Sequence, residues 1–467
     1  MKSFISSVIA AGLLTVTAAC SPDETTMPGE WAGGGELAAV PASACSNAIN
    51  AFVQALGGDP KYMEILGAIN GGFMTPPPGY NISPNPWASA TYPELVNKIS
   101  GAFSAWCEFL PQISGDQDDG LKYIQQFAWF YYQNPAGQMF VQGTDPLTGA
   151  PNGLMSNFLE AFTIERGAYM DTLASTRYVA QWVDDPRIEI EDYQLQQPSD
   201  YGTWNLFFAR NITIDTARQT IPSRPITMPD RNYVVVSPTD CIMNPLVQVL
   251  KEQSTGSSVR SVINNPLEAD TVIDVKNYPI SLDRLLGNAP AALKQTFIGG
   301  AGLACVLMPN TYHHFHSPVD GEIVYAEIIA VGTNGVLGTY GYYDFPNWAP
   351  MSGDVGRPGT DFSQFEVFQR GVIIIRVEYD GVNGQTITGY VASIPVGLDT
   401  IGSVVFDPAT KTGAVVKKGY TRLGNFLYGG SLNILLFSKG ISSGVVQTRL
   451  GNQITLLNAG TPPGDTE

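Results

Sequence analysis

Through the first third of the chain, apolar residues recur at intervals of three and four. Leu95, Val96, Ile99, Phe103, Trp106 and Leu110 form one stripe, and Tyr123, Ile124, Phe127, Trp129 and Phe130 mark another. That spacing puts each set on one face of a helix. A third helical run is expected from about Leu154 to Val183, with Phe158, Leu159, Phe162 and Tyr169 on its apolar side. Pro- and Gly-rich strings such as Thr75–Gly79 separate the helices. Past about Tyr201 the period changes. Short β-branched runs appear at Tyr233–Val236, Leu303–Leu307, Glu322–Val331, Val372–Val377, Thr386–Ala392 and Asn433–Phe437, with Gly, Pro and Asn between them. The pattern predicts an α+β chain: a helical N-terminal domain over residues 44–200, then a mainly β domain over 201–467. No internal repeat stands out, and no phosphate-binding glycine motif occurs.

The N-terminus departs from both patterns. Lys2 precedes an apolar stretch from Phe4 to Ala19 that ends in Thr17-Ala18-Ala19-Cys20. The stretch is short for a bilayer span. Small residues directly before a cysteine resemble a bacterial lipoprotein signal over residues 1–19, although Thr17 stands where leucine is usual. That resemblance implies cleavage before Cys20 and acylation of its thiol, with a plain secretory signal as the alternative. Residues 20–43, rich in Gly, Pro, Thr and Ala, read as a flexible tether. The location expected from this is a lipoprotein on the outer face of the inner membrane or on the periplasmic side of the outer membrane.

Composition narrows the function classes. Among the 467 residues, 44% are hydrophobic, enough for sizeable cores. With 25 basic and 42 acidic residues the net charge is −17. Electrostatics alone therefore oppose nucleic acid or an anionic bilayer as a partner of the folded part. If Cys20 is acylated, Cys45, Cys107, Cys241 and Cys305 remain in an oxidising compartment. Cys45 with Cys107 is the expected pair, since both sit in helical patterns of one region. Cys241 and Cys305 are expected as buried thiols.

The candidate chemistry is concentrated. All three histidines, His313, His314 and His316, fall within four positions. Imidazole is the side chain that exchanges protons near neutral pH. No Cys, Asp or Glu flanks the run at metal-ligand spacing, and in an extended segment His314 and His316 point away from His313. Acid–base work fits better than a metal. Ser431 follows two glycines and precedes an apolar strand, an exposed-looking nucleophile, but Asn433 breaks the Gly-x-Ser-x-Gly pattern. Asp240 follows a strand and a Pro turn in Val234-Val-Val-Ser-Pro-Thr-Asp-Cys241.

Five ordered motifs over about Tyr201–Phe437 resemble the phosphatidylserine decarboxylase family of pyruvoyl enzymes. They are Trp204–Arg210 with Arg224-Pro225-Ile226, Ser237–Cys241, Ser281–Gly287, Tyr312–Pro318, and Lys417-Lys418-Gly419 with Gly430-Ser431. Three positions depart from the family pattern: Cys241 replaces Gly, His314 replaces the usual Arg, and Leu432 replaces the Thr or Ser after the cleaved serine.

The resemblance implies self-cleavage between Gly430 and Ser431. By it His316, oriented by Asp240, is the general base on Ser431, whose hydroxyl attacks the Gly430 carbonyl. Residue 431 would then become a covalent pyruvoyl group at the head of a 37-residue chain. That group condenses with a substrate amine as a Schiff base and holds the electrons left by CO2. By the same resemblance His313 is the expected proton donor to the substrate α-carbon, or the group that assists loss of the carboxylate. The expected catalytic residues are thus Asp240, His313, His316 and Ser431.

The implied substrate carries an amine beside a carboxylate. Phosphatidylserine, giving phosphatidylethanolamine, comes first. A free aromatic amino acid such as tryptophan is the alternative, since the helical region resembles the associated domain of soluble amino-acid decarboxylases. An unprocessed anchored binding protein or a serine hydrolase are readings of other classes. No metal or dissociable cofactor is called for, and a homodimer is plausible by resemblance.

Overall fold

The computed structural model describes residues 36–72, 85–113, 122–131, 134–141, 143–245, 247–250, 258–261, 272–275, 278–308, 310–329, 369–381, 383–398, 403–427, 430–438, 446–448, 450–451 and 453–456. The expected signal, Cys20 and most of the tether lie outside these residues. Helices occupy Ser46–Gly58, Lys61–Gly71, Tyr92–Cys107, Lys122–Tyr131, Pro135–Val141 and Leu154–Met170. The helix from Tyr92 is capped at its start: the Thr91 hydroxyl accepts from the Glu94 N–H, and Pro93 follows the cap.

The helices bury an aromatic core. Phe103 packs edge-on against Phe127, Phe158 and Phe162, with centroids 5.6, 4.8 and 4.9 Å away. The Cys45–Cys107 disulfide, Cα atoms 5.9 Å apart, joins the start of the first helix to the end of the Tyr92 helix. The single run expected over Leu154–Val183 is broken. Its helix stops at Met170, a 3-10 turn covers Leu173–Thr176, and a short helix resumes at Val179–Val183. The Ser175 hydroxyl caps this break from within, donating to the Met170 carbonyl and accepting from the Trp204 N–H.

Among the described residues seventeen strands follow: β1 Val234–Val236, β2 Cys241–Pro245, β3 Val247–Leu250, β4 Ser258–Ser261, β5 Val272–Val275, β6 Tyr278–Ser281, β7 Ala301–Leu307, β8 His314–His316, β9 Gly321–Ile329, β10 Arg370–Asp380, β11 Thr386–Leu398, β12 Ser403–Phe406, β13 Val415–Val416, β14 Arg422–Leu427, β15 Gly430–Phe437, β16 Val446–Thr448 and β17 Gln453–Leu456. An eight-stranded sheet runs β13-β9-β10-β11-β15-β7-β2-β16. Smaller sheets are β12-β14-β8, β4-β3-β5-β6 and β1-β17.

β15 lies inside the large sheet, antiparallel to β11 and β7. It is buried on both faces, and strand alternation divides its side chains between two cores. Leu432, Ile434 and Leu436 enter one with Val372, Ile374 and Ile394. Leu435 and Phe437 enter the other, which also holds Phe315, Trp182, Trp204 and Phe207. Elements at the end of the helical region thus share a core with the sheet. Cys241 and Cys305 correct an expectation: they form a disulfide between neighbouring β2 and β7, Cα atoms 5.4 Å apart. The adjacency comes from sheet order, across 64 residues of chain.

A duplicated turn organises the rest. Ser237-Pro238-Thr239-Asp240 follows β1, and Ser317-Pro318-Val319-Asp320 follows β8. Each serine hydroxyl donates to the carbonyl two residues on, at 2.6 Å. The turns exchange bonds, Val236 N–H to the Pro318 carbonyl at 2.9 Å and His316 N–H to the Pro238 carbonyl at 2.8 Å. Their outer partners match too. Gly451 and Gly419, both at positive φ, donate to the Ser237 and Ser317 carbonyls. A Cβ at Gly419 would come within 2.9 Å of Ile226, so glycine is needed there. The two Ser-Pro-x-Asp strings are thus one turn used twice, packed against each other.

Candidate active site

The three histidines take three different partners. His313, just before β8, places Nδ1 2.9 Å from the Ser431 hydroxyl oxygen and stacks on Phe208 with centroids 3.8 Å apart. His314 donates from Nε2 to the Ala209 carbonyl at 2.9 Å. His316 donates from Nδ1 to the Tyr420 carbonyl at 3.2 Å, and Nε2 accepts from the Tyr312 hydroxyl at 2.9 Å. These donor roles follow from the partners, since a carbonyl can only accept.

A short helix, Trp204–Phe208, clasps this segment. It is capped by Thr203, whose hydroxyl accepts from the Leu206 N–H. Phe208 covers His313, Ala209 receives His314, and Arg210 donates to the carbonyls of Asn310 and Thr311. One turn of chain thereby sets the direction of two rings.

Burial decides the protonation of the β8 rings. It pushes the pKa of His314 and of His316 down to about 3; the nearby Arg422 guanidinium adds to this, and hydrogen bonds to the Ala209 and Tyr420 carbonyls oppose it. Both rings are neutral at neutral pH. Burial raises Tyr312 well above its ordinary value, so its phenol keeps the proton it donates to His316.

Ser431, expected as exposed, is 1% exposed. It stands near the start of β15, between Gly397 of β11 and Leu307 of β7. Two residues on, along the same face, Asn433 is fully buried and its Oδ1 accepts from the Ser393 hydroxyl at 3.1 Å.

Asp240 is placed differently from the expectation that it orients His316. Its carboxylate is gripped by Arg224, with Nη2 at 2.8 Å and Nε at 3.1 Å from both oxygens, and accepts from the Leu450 N–H at 2.6 Å. Arg224 also pairs with Asp192. Among the described residues no hydrogen bond or ion pair joins the side chains of Asp240 and His316 or of His316 and Ser431. The Asp240 turn reaches the histidines through the backbone instead: Pro238 receives the His316 N–H, and the Thr239 hydroxyl donates to the Tyr312 carbonyl. Sequence reasoning quoted Arg224, Tyr312 and Phe208 within motifs but gave them no role. Only the direction of their side chains reveals one.

Among the described residues no group of three or more His, Cys, Asp or Glu could hold a metal ion. The site instead holds a serine hydroxyl within reach of an imidazole, inside a strand, with a glycine before it. The phosphatidylserine decarboxylase family model matches residues 204–456, just over half of the chain and the whole of this site. The chain belongs to this family. Similar proteins include phosphatidylserine decarboxylase proenzyme 3 of Schizosaccharomyces pombe, 25% identical over 290 residues, which are 62% of this chain and 24% of that protein. The phosphatidylserine decarboxylase proenzyme of Fusobacterium nucleatum is 28% identical over 311 residues, 66% of this chain and 80% of its own length. Decarboxylase iboD of Amanita muscaria is 25% identical over 241 residues, 51% of this chain and 58% of that protein.

Proposed function

We propose that the chain is a proenzyme that cuts itself between Gly430 and Ser431 and then decarboxylates phosphatidylserine to phosphatidylethanolamine. The observation that carries this reading is the His313–Ser431 contact at 2.9 Å within the segment that matches the family. In the Nε2–H tautomer, His313 Nδ1 accepts the hydroxyl proton, and Phe208 holds the ring in place. Ser431 Oγ can then attack the Gly430 carbonyl, turning the peptide bond into an ester. Elimination across Cα–Cβ of residue 431 frees the Gly430 carboxylate, and loss of ammonia to water leaves a carbonyl at residue 431. The buried setting suits that carbonyl, because the serine that would carry it is shielded from bulk water by both neighbouring strands. A pyruvoyl group there supplies an electrophile for the substrate amine and a sink for the electrons that CO2 leaves behind.

His313 is the ring that faces the reacting residue, so in this reading it serves first Ser431 and then the substrate. His316 and Asp240 act through others: His316 fixes Tyr312 and β8, and Asp240 with Arg224 fixes the turn that receives the His316 N–H. Further parts of the proposal are acylation at Cys20 and residence at a membrane surface, which would bring the site to its lipid. Among the described residues no helix is long and apolar enough to cross a membrane.

Intact-mass spectrometry before and after borohydride tests the reading. A 37-residue fragment starting at residue 431, lighter than its serine form and two hydrogens heavier after reduction, is the expected result. A single chain that stays whole on incubation would refute it. Short-chain phosphatidylserine beside free tryptophan, with CO2 as readout, separates the lipid substrate from a free amino acid.

A further inference from the structure

Past Ser431, Asn433 is a polar residue in a strand whose remaining inward positions are apolar. Leu435 and Phe437, on the same face, enter a hydrophobic core, and Asn433 sits opposite Cys305 of β7 and Pro395 of β11. A carboxamide in that place is costly unless both its ends are used. One end is: Oδ1 accepts from the Ser393 hydroxyl. The other is not, since Asn433 Nδ2 has no hydrogen-bond partner among the described residues although the residue is fully buried. The Ser393 bond holds the oxygen end of the amide, which leaves Nδ2 as the end with a bond still to give.

Its position relative to Ser431 gives that donor a use. Two residues along a strand cover roughly 6.7 Å and return to the same face. From a carbonyl carbon at residue 431, through a substrate nitrogen and α-carbon to a carboxylate oxygen, the reach is about 4 Å, and a hydrogen bond adds about 2.9 Å. The two spans are of the same order, so a side chain two residues on and on the same face is within reach of that carboxylate. Resting on the decarboxylase reading, we propose that Asn433 binds the substrate, its Nδ2 donating to the carboxylate that is to be lost. The amide tells an amine that still carries its carboxylate from the product amine that does not. It also sets the carboxylate's direction about the bond that breaks, and it loses its partner when CO2 departs, which favours product release.

Reductive trapping with cyanoborohydride, read as adduct mass on the 37-residue chain, tests this without relying on turnover. The probes are short-chain phosphatidylserine and short-chain phosphatidylethanolamine. Asn433→Asp keeps the acceptor for Ser393 and replaces the donor with a carboxylate oxygen. It is expected to raise the half-saturating concentration of the serine lipid by about tenfold or more while leaving the ethanolamine lipid within about twofold. Ser393→Ala lets the amide turn and should shift the same ratio by about threefold; this variant decides the question if Asn433→Asp does not mature. Equal shifts for the two lipids, or none, would overturn the role of Asn433. Wild-type protein that traps neither lipid would overturn the decarboxylase reading itself, and the role of Asn433 with it.

Discussion

The two Ser-Pro-x-Asp turns share one backbone and differ in what hangs on it. Before the first stands β1, Val234-Val235-Val236; before the second stands β8, His314-Phe315-His316. Val236 and His316 are equivalent, each donating its N–H to the proline carbonyl of the other turn. One carries a methyl-bearing filler and the other a buried imidazole that holds Tyr312. The acids differ as well. Asp240 is buried against Arg224, which is 2% exposed, while Asp320 is 37% exposed and lies 3.9 Å from Lys418 Nζ. Lys418 is itself buried, with its amine bonded to the carbonyls of Met228 and Arg231. A repeated scaffold thus holds a structural half and a reactive half. Symmetry supplies rigidity, and the departures from symmetry mark where chemistry is placed.

The comparison can be broken most severely at the residue just before β8. His313→Ala removes the ring on Ser431 and is expected to slow self-cleavage by about a hundredfold or more, a magnitude typical of a lost general base. Gel or mass analysis of the 37-residue fragment over time checks it, and cleavage at the wild-type rate would move the base role back to His316. Next come the acids. Asp240→Asn strips Arg224 of its main partner inside the fold and should cost about 3 kcal/mol, whereas Asp320→Asn, at a partly solvated pair, should cost under about 1 kcal/mol. Denaturant midpoints of both variants on a Ser431→Ala background, which keeps the chain whole, give the ratio. Similar losses at the two sites would erase the distinction.

The smallest effect is on pH dependence. His314 and His316 have pKa values of about 3 in the fold against 6.5 when exposed. Below pH 6.5 the unfolded chain binds protons that the native rings refuse, so their contribution is fully present above pH 6.5 and drains away toward pH 3. Each ring accounts for at most about 1.4 kcal/mol per pH unit in that window. His316→Val gives β8 the residue found at the equivalent position of β1. It should make the acid limb shallower by one proton, measured as stability against pH. An unchanged slope would mean that His316 titrates normally.

Legibility in the sequence followed how local each cause was. The helix at Tyr92–Cys107 was readable because its apolar stripe lies within one short window, and the Thr91 cap that starts it is equally local. The break after Met170 was not, because the group that closes it, Ser175, is committed by the backbone of Trp204 far along the chain. The six expected strands all appear, four of them with longer bounds and two, at Val234–Val236 and Gly321–Ile329, with shifted ends, since β-branched runs between turn residues are local signals. The histidine cluster and Ser431 were visible as letters and motifs. That His313 rather than His316 faces Ser431 was not, because a side chain's target depends on which strand comes to lie across from it.

By itself the sequence determined the α+β character, the change of texture near residue 201, the acidic charge and the stock of reactive groups, because periodicity, composition and motif spacing are properties of the string. Tertiary structure decided that Cys241 meets Cys305, that two turns eighty residues apart are equivalent, that Asp240 answers Arg224, and that a serine after two glycines is buried. Those outcomes depend on sheet order and on which polar groups must satisfy each other away from water. Both are settled only when distant segments are packed together.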